Sequence, residues 1–524
     1  MNTSRFLQLG GGDPDRLAVV VSDTGESLTY RELEEGSARL ARLWHAAGLR
    51  PGDDVALMMG NHVRFMEVYW AAMRSGLRFT TVNTFLTPRE VEHVLRDSGA
   101  TALVVDAAVG TRAEEIAREP WAPSLRLAVG GAVAGFESYE EAVVAHEPTP
   151  LDTQPMGVRV LYSSGSTGLP KAIERSLPGT DVSVGAQRQA DYLAQSYGMT
   201  ASSVAVSPAP LHHAAPLSFA GGTLALGATL VLSTRFDVER LLADVSTYAA
   251  THALVVPTMF VRLLRLPAEV REAADVSSLE YVVHGAAPCP VGVKRAMIEW
   301  WGPVIWEYYA GTEDNGSTYI SSTEWLAHEG SVGRAAPGCV IHVCDAVSGL
   351  EVPAGVDGVV WFEQVGDGVL EPFTYRGAPE KTSGSRHPLH PRWTTLGDVG
   401  HLDDEGYLYL TDRVDHLVIS GGVNISPQET ENTLVEHPDV LDVAVFGVPD
   451  EELGQRLVAV VQPAPGVAPS DELRAALLAW ARERLARHKV PRTLDFTDEL
   501  PRSAAGKIYK KRLQAAYGGT ITAG

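Results

Sequence analysis

Residues 158 to 173 have the composition of a phosphate-binding loop that follows a strand. Val158–Tyr162 alternates and is rich in β-formers, which predicts a strand. Two glycines, three serines and a threonine then precede Pro170 and Lys171: Ser163, Ser164, Gly165, Ser166, Thr167 and Gly168. Glycine lets successive N–H groups face one point and hydroxyls add donors, which suits phosphate oxygens. A flexible surface loop is the rival interpretation, but the preceding strand and Lys171 favour a site for a nucleotide polyphosphate.

Seven further segments contain residues that could bind a nucleotide or an acid. Each of them, taken alone, could equally be structural: a histidine in the core, a plain turn, an exposed loop or a solvated basic tail. These segments are Pro210-Leu211-His212-His213, Gly285-Ala286-Ala287-Pro288, Tyr309-Ala310-Gly311-Thr312-Glu313, Trp393-Thr394-Thr395-Leu396-Gly397-Asp398, Arg413-Val414-Asp415, Ser420-Gly421-Gly422 and Pro501-Arg502-Ser503-Ala504-Ala505-Gly506-Lys507-Ile508. Together with the phosphate loop, and in this order, they resemble the adenylate-forming superfamily, which includes acyl- and aryl-CoA synthetases, luciferases and peptide-synthetase adenylation domains. The similarity spans Leu28 to Leu513.

The resemblance implies that the chain binds ATP. By position, Lys171 and the hydroxyl-rich loop would hold the β- and γ-phosphates, and Gly285-Ala286-Ala287-Pro288 would lie against adenine. Tyr309 would pack on the adenine ring. Asp398 would accept hydrogen bonds from both ribose hydroxyls, a task that suits a bidentate acceptor. Arg413 would touch the ribose or a phosphate.

The resemblance also implies the residues of catalysis. Thr312 would donate to the α-phosphate, and Glu313 would hold Mg²⁺, an ion that takes one or two carboxylates and leaves its other positions to water and phosphate. Lys507 would bridge the acid's carboxylate and the α-phosphate. His213 would lie beside the carboxylate of the acyl substrate. Amino-acid-activating relatives carry an aspartate near this position to hold the substrate's ammonium group, whereas this chain has Ala214, which argues against an α-amino acid.

A joint between two lobes is expected after the last strand of the large lobe. In relatives a hinge residue follows the arginine by two positions, which makes Asp415 the pivot here. Gly421 and Gly422 would let backbone lie close to the pantetheine arm of coenzyme A. The predicted division is an N-terminal adenylation domain over 1–411, a hinge over 412–416 and a mobile C-terminal domain over 417–524.

The elements that must position these residues alternate between strand and helix. Thr29 predicts the N-cap of a helix reaching about Gly48, and Asp54–Met58 and Ala102–Asp106 read as strands. This alternation predicts an α/β fold, with a large lobe of mixed and parallel sheets, a small β subdomain and a small mobile α+β C-terminal domain. The acidic stretch from Glu114 to Pro155 is a candidate subdomain join.

Composition limits the compartment and the partners. The net charge of −22 argues against nucleic acid and anionic membranes as partners. Three cysteines without CxxC spacing indicate a reducing compartment. The absence of an apolar run of 18 residues and of a signal-peptide pattern predicts a cytoplasmic protein without a membrane span. The interpretation leaves a homodimer open.

The predicted function is ATP-dependent activation of a fatty, aryl or alicyclic acid, followed by transfer to coenzyme A. The predicted walls of the acyl site, near His213, Phe219, Met259, Gly285 and Tyr308, are apolar or aromatic. Ala172, Ala310 and Leu396 depart from the family pattern. Two alternatives therefore stay open: an adenylating enzyme with another acceptor (a carrier protein, or amine and nitrite chemistry such as diazotisation), and a nucleotide-binding pseudoenzyme.

Overall fold

A computed structural model describes residues 13–163, 169–366, 371–413, 417–420, 423–450, 453–502 and 508–517. The chain divides into two units. The first unit takes in the described residues of Met1–Val255, Arg265–Val283 and Gly368–Thr382. The second takes in those of Val256–Leu264, His284–Asp367 and Ser383–Gly524.

The strands are, in chain order, β1 (Leu17–Val21), β2 (Glu26–Thr29), β3 (Asp54–Met58), β4 (Arg78–Thr81), β5 (Ala102–Asp106), β6 (Leu125–Val129), β7 (Glu137–Ser138), β8 (Val158–Ser163), β9 (Lys171–Glu174), β10 (Val204–Ser207), β11 (Thr229–Leu232), β12 (His252–Val255), β13 (Tyr281–His284), β14 (Ile305–Ala310), β15 (Ser317–Ser321), β16 (Arg334–Ala335), β17 (Cys339–Cys344), β18 (Gly358–Gln364), β19 (Thr374–Tyr375), β20 (Asp398–Leu402), β21 (Leu408–Arg413), β22 (Val418–Ser420), β23 (Val423–Ile425), β24 (Val440–Asp450), β25 (Gly454–Pro463) and β26 (Thr493–Phe496).

The α-helices are α1 (Tyr30–Ala46), α2 (Phe65–Arg74), α3 (Pro88–Ser98), α4 (Thr111–Arg118), α5 (Tyr139–Val144), α6 (Val182–Tyr197), α7 (Ala214–Leu226), α8 (Val238–Thr247), α9 (Pro257–Leu264), α10 (Ala268–Ala273), α11 (Val291–Trp301), α12 (Ser322–Ala327), α13 (Pro379–Gly384), α14 (Pro427–Val435), α15 (Asp471–Arg484) and α16 (Lys510–Tyr517).

The first unit contains two largely parallel sheets. One has the order β19-β9-β8-β4-β3-β5-β6-β7; its strands from β8 to β7 run parallel, and β9 pairs antiparallel with both neighbours. The other has the order β13-β12-β10-β11-β1-β2, with β12, β10, β11 and β1 parallel. Crossover helices cover such sheets on both faces, which is why β5, β11 and β12 are buried along nearly their whole length.

The second unit is built from antiparallel sheets. The strands β14, β15 and β16 pair in series, and β17, β18, β20 and β21 form a separate four-stranded sheet, which matches the expected β subdomain. The C-terminal sheet has the order β23-β22-β25-β24, with β26 added parallel to β25. The fold class predicted from sequence is confirmed.

Alternating residues of β24 enter two different cores, because successive side chains of a strand point to opposite faces. Val443 and Val445 pack with residues of α14 and α15. Ala444 and Phe446 pack in a second cluster, which Tyr517 of α16 joins. The C-terminal sheet is therefore covered on both faces.

Local capping and turn contacts fix the ends of several elements, and the predicted N-cap Thr29 is one of them. Thr29 and Glu32 form a capping box at the start of α1. Ser470 accepts from the backbone N–H of Leu473 and begins α15. The turn around Asp403 joins β20 to β21 as an antiparallel hairpin.

The predicted subdomain join between Glu114 and Pro155 is wrong. This stretch contributes β6, β7 and α5 to the first unit, where β6 pairs with β5 along its whole length. Acidic residues of this stretch lie within α4 and α5, and its prolines lie in the connections between elements, so neither marks a boundary between subdomains. Of the helices that the structure describes, none has the length and hydropathy needed for a membrane crossing.

Candidate functional site

The phosphate loop joins two antiparallel strands, rather than a strand and a helix. β8 ends at Ser163, β9 begins at Lys171, and these two residues pair across the ladder. A Walker A loop leads into a helix, so this segment does not have the Walker A topology. The predicted phosphate ligands Ser164, Gly165, Ser166, Thr167 and Gly168 lie outside the described residues, and their role stays a prediction.

The segment before α7 is ordered by a buried asparagine that sequence reasoning missed. Asn61 Nδ2 donates to the carbonyls of Ala209 (3.2 Å) and Ser233 (3.0 Å), and its Oδ1 accepts from the N–H of Leu211 (2.8 Å). In the sequence, Asn61 is just one of the polar residues between β3 and α2, and nothing nearby indicates its distant partners. The consequence is a fixed path for the backbone that carries the two histidines.

His212 and His213 lie side by side at the start of α7, with ring centroids 4.4 Å apart. Burial lowers the pKa of His213 to about 4, and burial followed by the neighbouring His213 lowers the pKa of His212 well below its usual value. Both rings are therefore neutral near pH 7. Within the described part of the chain, both ring nitrogens of His212 and Nε2 of His213 lack a hydrogen-bond partner. Sequence reasoning selected His213 and treated His212 as a spacer.

The small-residue loop after β13 has a backbone that accepts little substitution. A Cβ on Gly285 would lie 2.6 Å from Cε1 and from the carbonyl oxygen of Tyr308, so only glycine fits there. Ala286 has φ +68°, in the left-handed region that costs energy for a residue with a Cβ. Adenine binding by Gly285, Ala286, Ala287 and Pro288 remains a prediction.

Asp398 is bonded at both carboxylate oxygens. Tyr309 Oη donates to Oδ2 at 2.5 Å, and Arg413 Nε donates to Oδ1 at 2.8 Å. Asp398 and Arg413 are direct partners across the β20–β21 ladder. Asp398 is buried, and burial followed by its charge raises the pKa of Tyr309 well above the usual value. Three predicted nucleotide residues are thus brought into one hydrogen-bonded group.

Thr312 and Glu313 lie in the loop between β14 and β15. The Glu313 carboxylate is buried and close enough to contribute, after burial and Asp398, to the raised pKa of Tyr309. The structure therefore places Glu313 near the Asp398 group. No cluster of three or more His, Cys, Asp or Glu residues suited to a metal occurs in the described ranges. A Mg²⁺ held by one carboxylate and phosphate oxygens needs no such cluster.

One departure from the family pattern packs against a glycine. A Cβ on Gly311 would overlap Cδ1 of Leu396, so the leucine side chain rests on the bare backbone of residue 311. Ala310, the departure next to that glycine, ends β14.

A buried ion pair under β14 was missed by sequence reasoning. Lys294 Nζ lies 2.6 Å from Oε2 of Glu307, and Nε2 of His284 lies 3.8 Å from the same oxygen. All three side chains are buried. Burial raises the pKa of Glu307, and burial followed by the Lys294 charge lowers that of His284. The alternation of the strand could have indicated this pair, because Glu307 lies two residues after Ile305 and therefore on the same, buried face of β14.

The last residues of β21 are bonded to the start of α14. Ser426 Oγ donates to the carbonyl of Thr411 (2.8 Å) and to Oδ2 of Asp412 (2.7 Å). The backbone N–H of Gln428, in the first turn of α14, also donates to Asp412 Oδ2 (3.3 Å). A carboxylate at this helix start is favourable because it satisfies an unpaired N–H and faces the positive end of the helix dipole.

Both sides of the segment that contains Lys507 are held by ion pairs. Arg502 makes a bidentate pair with Asp442, at 2.5 and 2.6 Å. Lys510, the first residue of α16, lies 2.8 Å from the buried Glu431. Lys507 itself lies outside the described residues, as do the predicted hinge residue Asp415 and the predicted pantetheine contacts Gly421 and Gly422.

Comparisons with known proteins cover nearly the whole chain. The family model for AMP-binding enzyme matches residues 9–370, and that for AMP-binding enzyme C-terminal domain matches residues 429–507. A feruloyl-CoA synthase from Amycolatopsis sp is 33% identical over 507 residues, covering 96% of both proteins. The fatty acid–[acyl-carrier-protein] ligase ScoC of Streptomyces coeruleorubidus is 31% identical over 508 residues, covering 94% of this chain and 92% of that protein. The solved structure of the amide bond synthetase McbA from Marinactinospora thermotolerans has a TM-score of 0.81 at 28% identity, covering 96% of both chains.

Lys294→Met is expected to lower the free energy of unfolding by about 3–5 kcal/mol at pH 8, because it leaves the Glu307 carboxylate buried without its ammonium. The folded-state pKa of Glu307, already raised by burial, then rises further. Below the unfolded value of about 4.3 the carboxyl is neutral in both states, so the penalty grows as pH rises through the folded pKa. Urea unfolding of variant and wild type at pH 5 and pH 8 measures the difference.

The matched control is the double variant Lys294→Met/Glu307→Met, which removes both charges and should recover most of the loss. If Lys294→Met lowered the free energy of unfolding by the same amount at pH 5 and pH 8, the loss would not come from a buried, unpaired Glu307 carboxylate.

Proposed function

Because this chain belongs to the AMP-binding enzyme family, the adenylate-forming enzymes, we propose that it activates a carboxylic acid with ATP and passes the acyl group to coenzyme A. The observation that carries the proposal is the Asp398 group. A buried carboxylate with donors on both oxygens, beside Glu313, supplies a fixed acceptor for ribose hydroxyls. The pseudoenzyme alternative is disfavoured because the chain has all of the residues that the chemistry needs: Lys171, Glu313, Asp398, Arg413 and Lys507.

The first half-reaction joins acid and nucleotide. A carboxylate is a poor acyl donor, so its oxygen attacks the α-phosphate of ATP, and pyrophosphate leaves as acyl-adenylate forms. The protein's task is to position the groups and neutralise phosphate charge. Lys171 would neutralise the β- and γ-phosphates, Thr312 would donate to the α-phosphate, and Lys507 would bridge that phosphate and the attacking carboxylate. Glu313 would hold Mg²⁺, which neutralises phosphate charge when bound.

The second half-reaction needs a different set of residues around the adenylate. The predicted hinge at residues 412–416 would provide for this if the predicted domain over 417–524 turned about Asp415 and exchanged Lys507 for Gly421 and Gly422. Such a turn would separate Asp412 from Ser426 and Gln428, so the hydrogen bonds at the start of α14 belong to one of the two states. These bonds would set part of the free-energy difference between them.

The acid has an apolar body, in the fatty, aryl or alicyclic class. His212 and His213 are neutral near pH 7, so they offer hydrogen bonds but no charge that would bind a second carboxylate. Ala214 supplies no anion for an α-ammonium group. The relative named a feruloyl-CoA synthase supports an aryl acid, and the relative named a fatty acid ligase supports an alkyl one.

A carrier protein or an amine is the second candidate acceptor. Its support is that the relatives named as a carrier-protein ligase and an amide bond synthetase cover more than nine-tenths of this chain. Coenzyme A is preferred because the relative with 33% identity is named as a CoA-thioester-forming enzyme. Free cysteines at positions 289, 339 and 344 agree with a cytoplasmic, reducing compartment.

The experiment that tests the function is a pyrophosphate-release screen over fatty, aryl and alicyclic acids, run with and without coenzyme A. We expect acid-dependent pyrophosphate release, and thioester formation when coenzyme A is present. Pyrophosphate release without consumption of coenzyme A would overturn the proposed acceptor, and the same screen with amines or a carrier protein would then identify another. No release with any acid would overturn the ligase assignment.

Lys507→Ala should lower adenylate formation by a factor on the order of 10²–10³, because it removes the cation that meets the charge at the α-phosphorus. Thioester formation from supplied acyl-adenylate should be nearly unchanged. Lys511→Ala, which removes an exposed lysine of the same tail, is the control. Equal loss in both half-reactions would count against a role confined to the first.

Tyr309→Phe should raise KM for ATP about fivefold to tenfold with little change in kcat, since Asp398 loses one of its two donors, a net hydrogen bond of about 1 kcal/mol. KM for the acid should stay the same. Tyr319→Phe, on the neighbouring strand β15, is the matched control. Steady-state kinetics with ATP and acid varied separately would refute this role if both KM values rose together.

A further inference from the structure

Two side chains of α3 reach the two ends of the phosphate loop. Nε2 of His93 lies 2.8 Å from the carbonyl oxygen of Pro170, and because a carbonyl only accepts, Nε2 carries the proton. Tyr162 Oη donates to Oδ2 of Asp97 at 2.8 Å. His93 and Asp97 are four residues apart, so they occupy one face of the helix. One helix face therefore bonds the chain both before and after the loop.

The two contacted residues are those that adjoin the ends of the loop. Tyr162 precedes Ser163, the last residue of β8, and Pro170 precedes Lys171, the first residue of β9. Pro170 is buried and has no N–H, so its carbonyl is its only polar backbone group, and His93 supplies a donor to it. A buried carbonyl without a donor is costly. The position of Lys171 thus depends on a bond made one residue earlier.

The helix itself is anchored independently of the loop. Its start is a capping box of Thr87 and Glu90 with a proline in the first turn, and Gly99 ends it at φ +66°. Val91, Val94 and Leu95 pack in a core of the first unit. The helix therefore acts as a rigid support from which the two side chains reach the loop.

An arginine joins the end of this helix to the strand of the phosphate-loop lysine. Arg376 donates to the carbonyls of Asp97 (2.9 Å) and Ser98 (2.8 Å). Its Nε also bonds Glu174, the last residue of β9, at 2.7 Å. The strand that begins with Lys171 is consequently tied to α3 at both ends, through His93 at one and Arg376 at the other.

We propose that His93 and Asp97 are positioning residues that fix the two ends of the phosphate loop for the β- and γ-phosphates of ATP. The proposal rests on the proposed function, which assigns this loop to those phosphates. Losing a contact lets the loop ends move before ATP binds, so the cost falls on the triphosphate. AMP lacks the β- and γ-phosphates, and its affinity should not change.

The test compares ATP and AMP binding by calorimetry, without acid, in Tyr162→Phe, Asp97→Ala, His93→Leu and His93→Gln. We expect Kd for ATP to rise about fivefold to tenfold in the first three, the equivalent of one net hydrogen bond, with Kd for AMP changed less than twofold. His93→Gln keeps an N–H donor and should recover part of the loss. Arg96→Ala, on the exposed Glu92–Arg96 pair of α3, is the matched control and should bind both nucleotides as wild type does.

The outcomes separate this proposal from the one on which it rests. Wild-type protein that binds neither nucleotide would overturn the proposed function and this inference with it. Wild-type protein that binds ATP, with variants that lose ATP and AMP affinity equally or lose neither, would overturn the positioning role alone. If His93→Leu fails to fold, Tyr162→Phe, which removes only a hydroxyl, decides the matter by itself.

Discussion

A carboxylate withdrawn from water is stable only when donors occupy its oxygens, and the candidate nucleotide residues of the second unit are arranged around that constraint. Asp398 meets it with donors from two strands, β14 and β21. Glu307, two residues before Tyr309 on β14, meets it with Lys294 of α11. Because each carboxylate would be costly without its partner, β14 is held in one position relative to β20, β21 and α11.

The first unit orders its candidate residues without buried charge at the histidines. Asn61 bonds the backbone on both sides of Pro210 and the carbonyl of Ser233. His212 and His213 are neutral because burial lowers both pKa values. Neutral imidazoles suit a site that takes one carboxylate and an apolar body, since a cation there would favour a second anionic group. The orphan ring nitrogens leave hydrogen-bonding capacity that the described chain does not use.

Local signals predicted the elements well, and long-range contacts explain what they missed. The N-cap at Thr29 and the strand before the phosphate loop depend on contacts within a few residues, so their neighbours in sequence decide the outcome. The contacts of Asn61 and Lys294 join segments that are far apart or lie on different elements, and no local pattern indicates them. The order of the motifs identified Tyr309, Asp398 and Arg413 as nucleotide residues. That Tyr309 and Arg413 both donate to the Asp398 carboxylate is known only from the structure.

Leu396, one of the departures from the family pattern, has a structural partner in Gly311. Leu396 stands two residues before Asp398, and Gly311 two residues before Glu313. The leucine side chain covers the bare backbone at Gly311, where any Cβ would overlap it. A side chain at 311 would therefore push apart the two loops that carry Glu313 and Asp398. The contact between Leu396 and Gly311 thus helps to set the spacing between the candidate metal and ribose carboxylates.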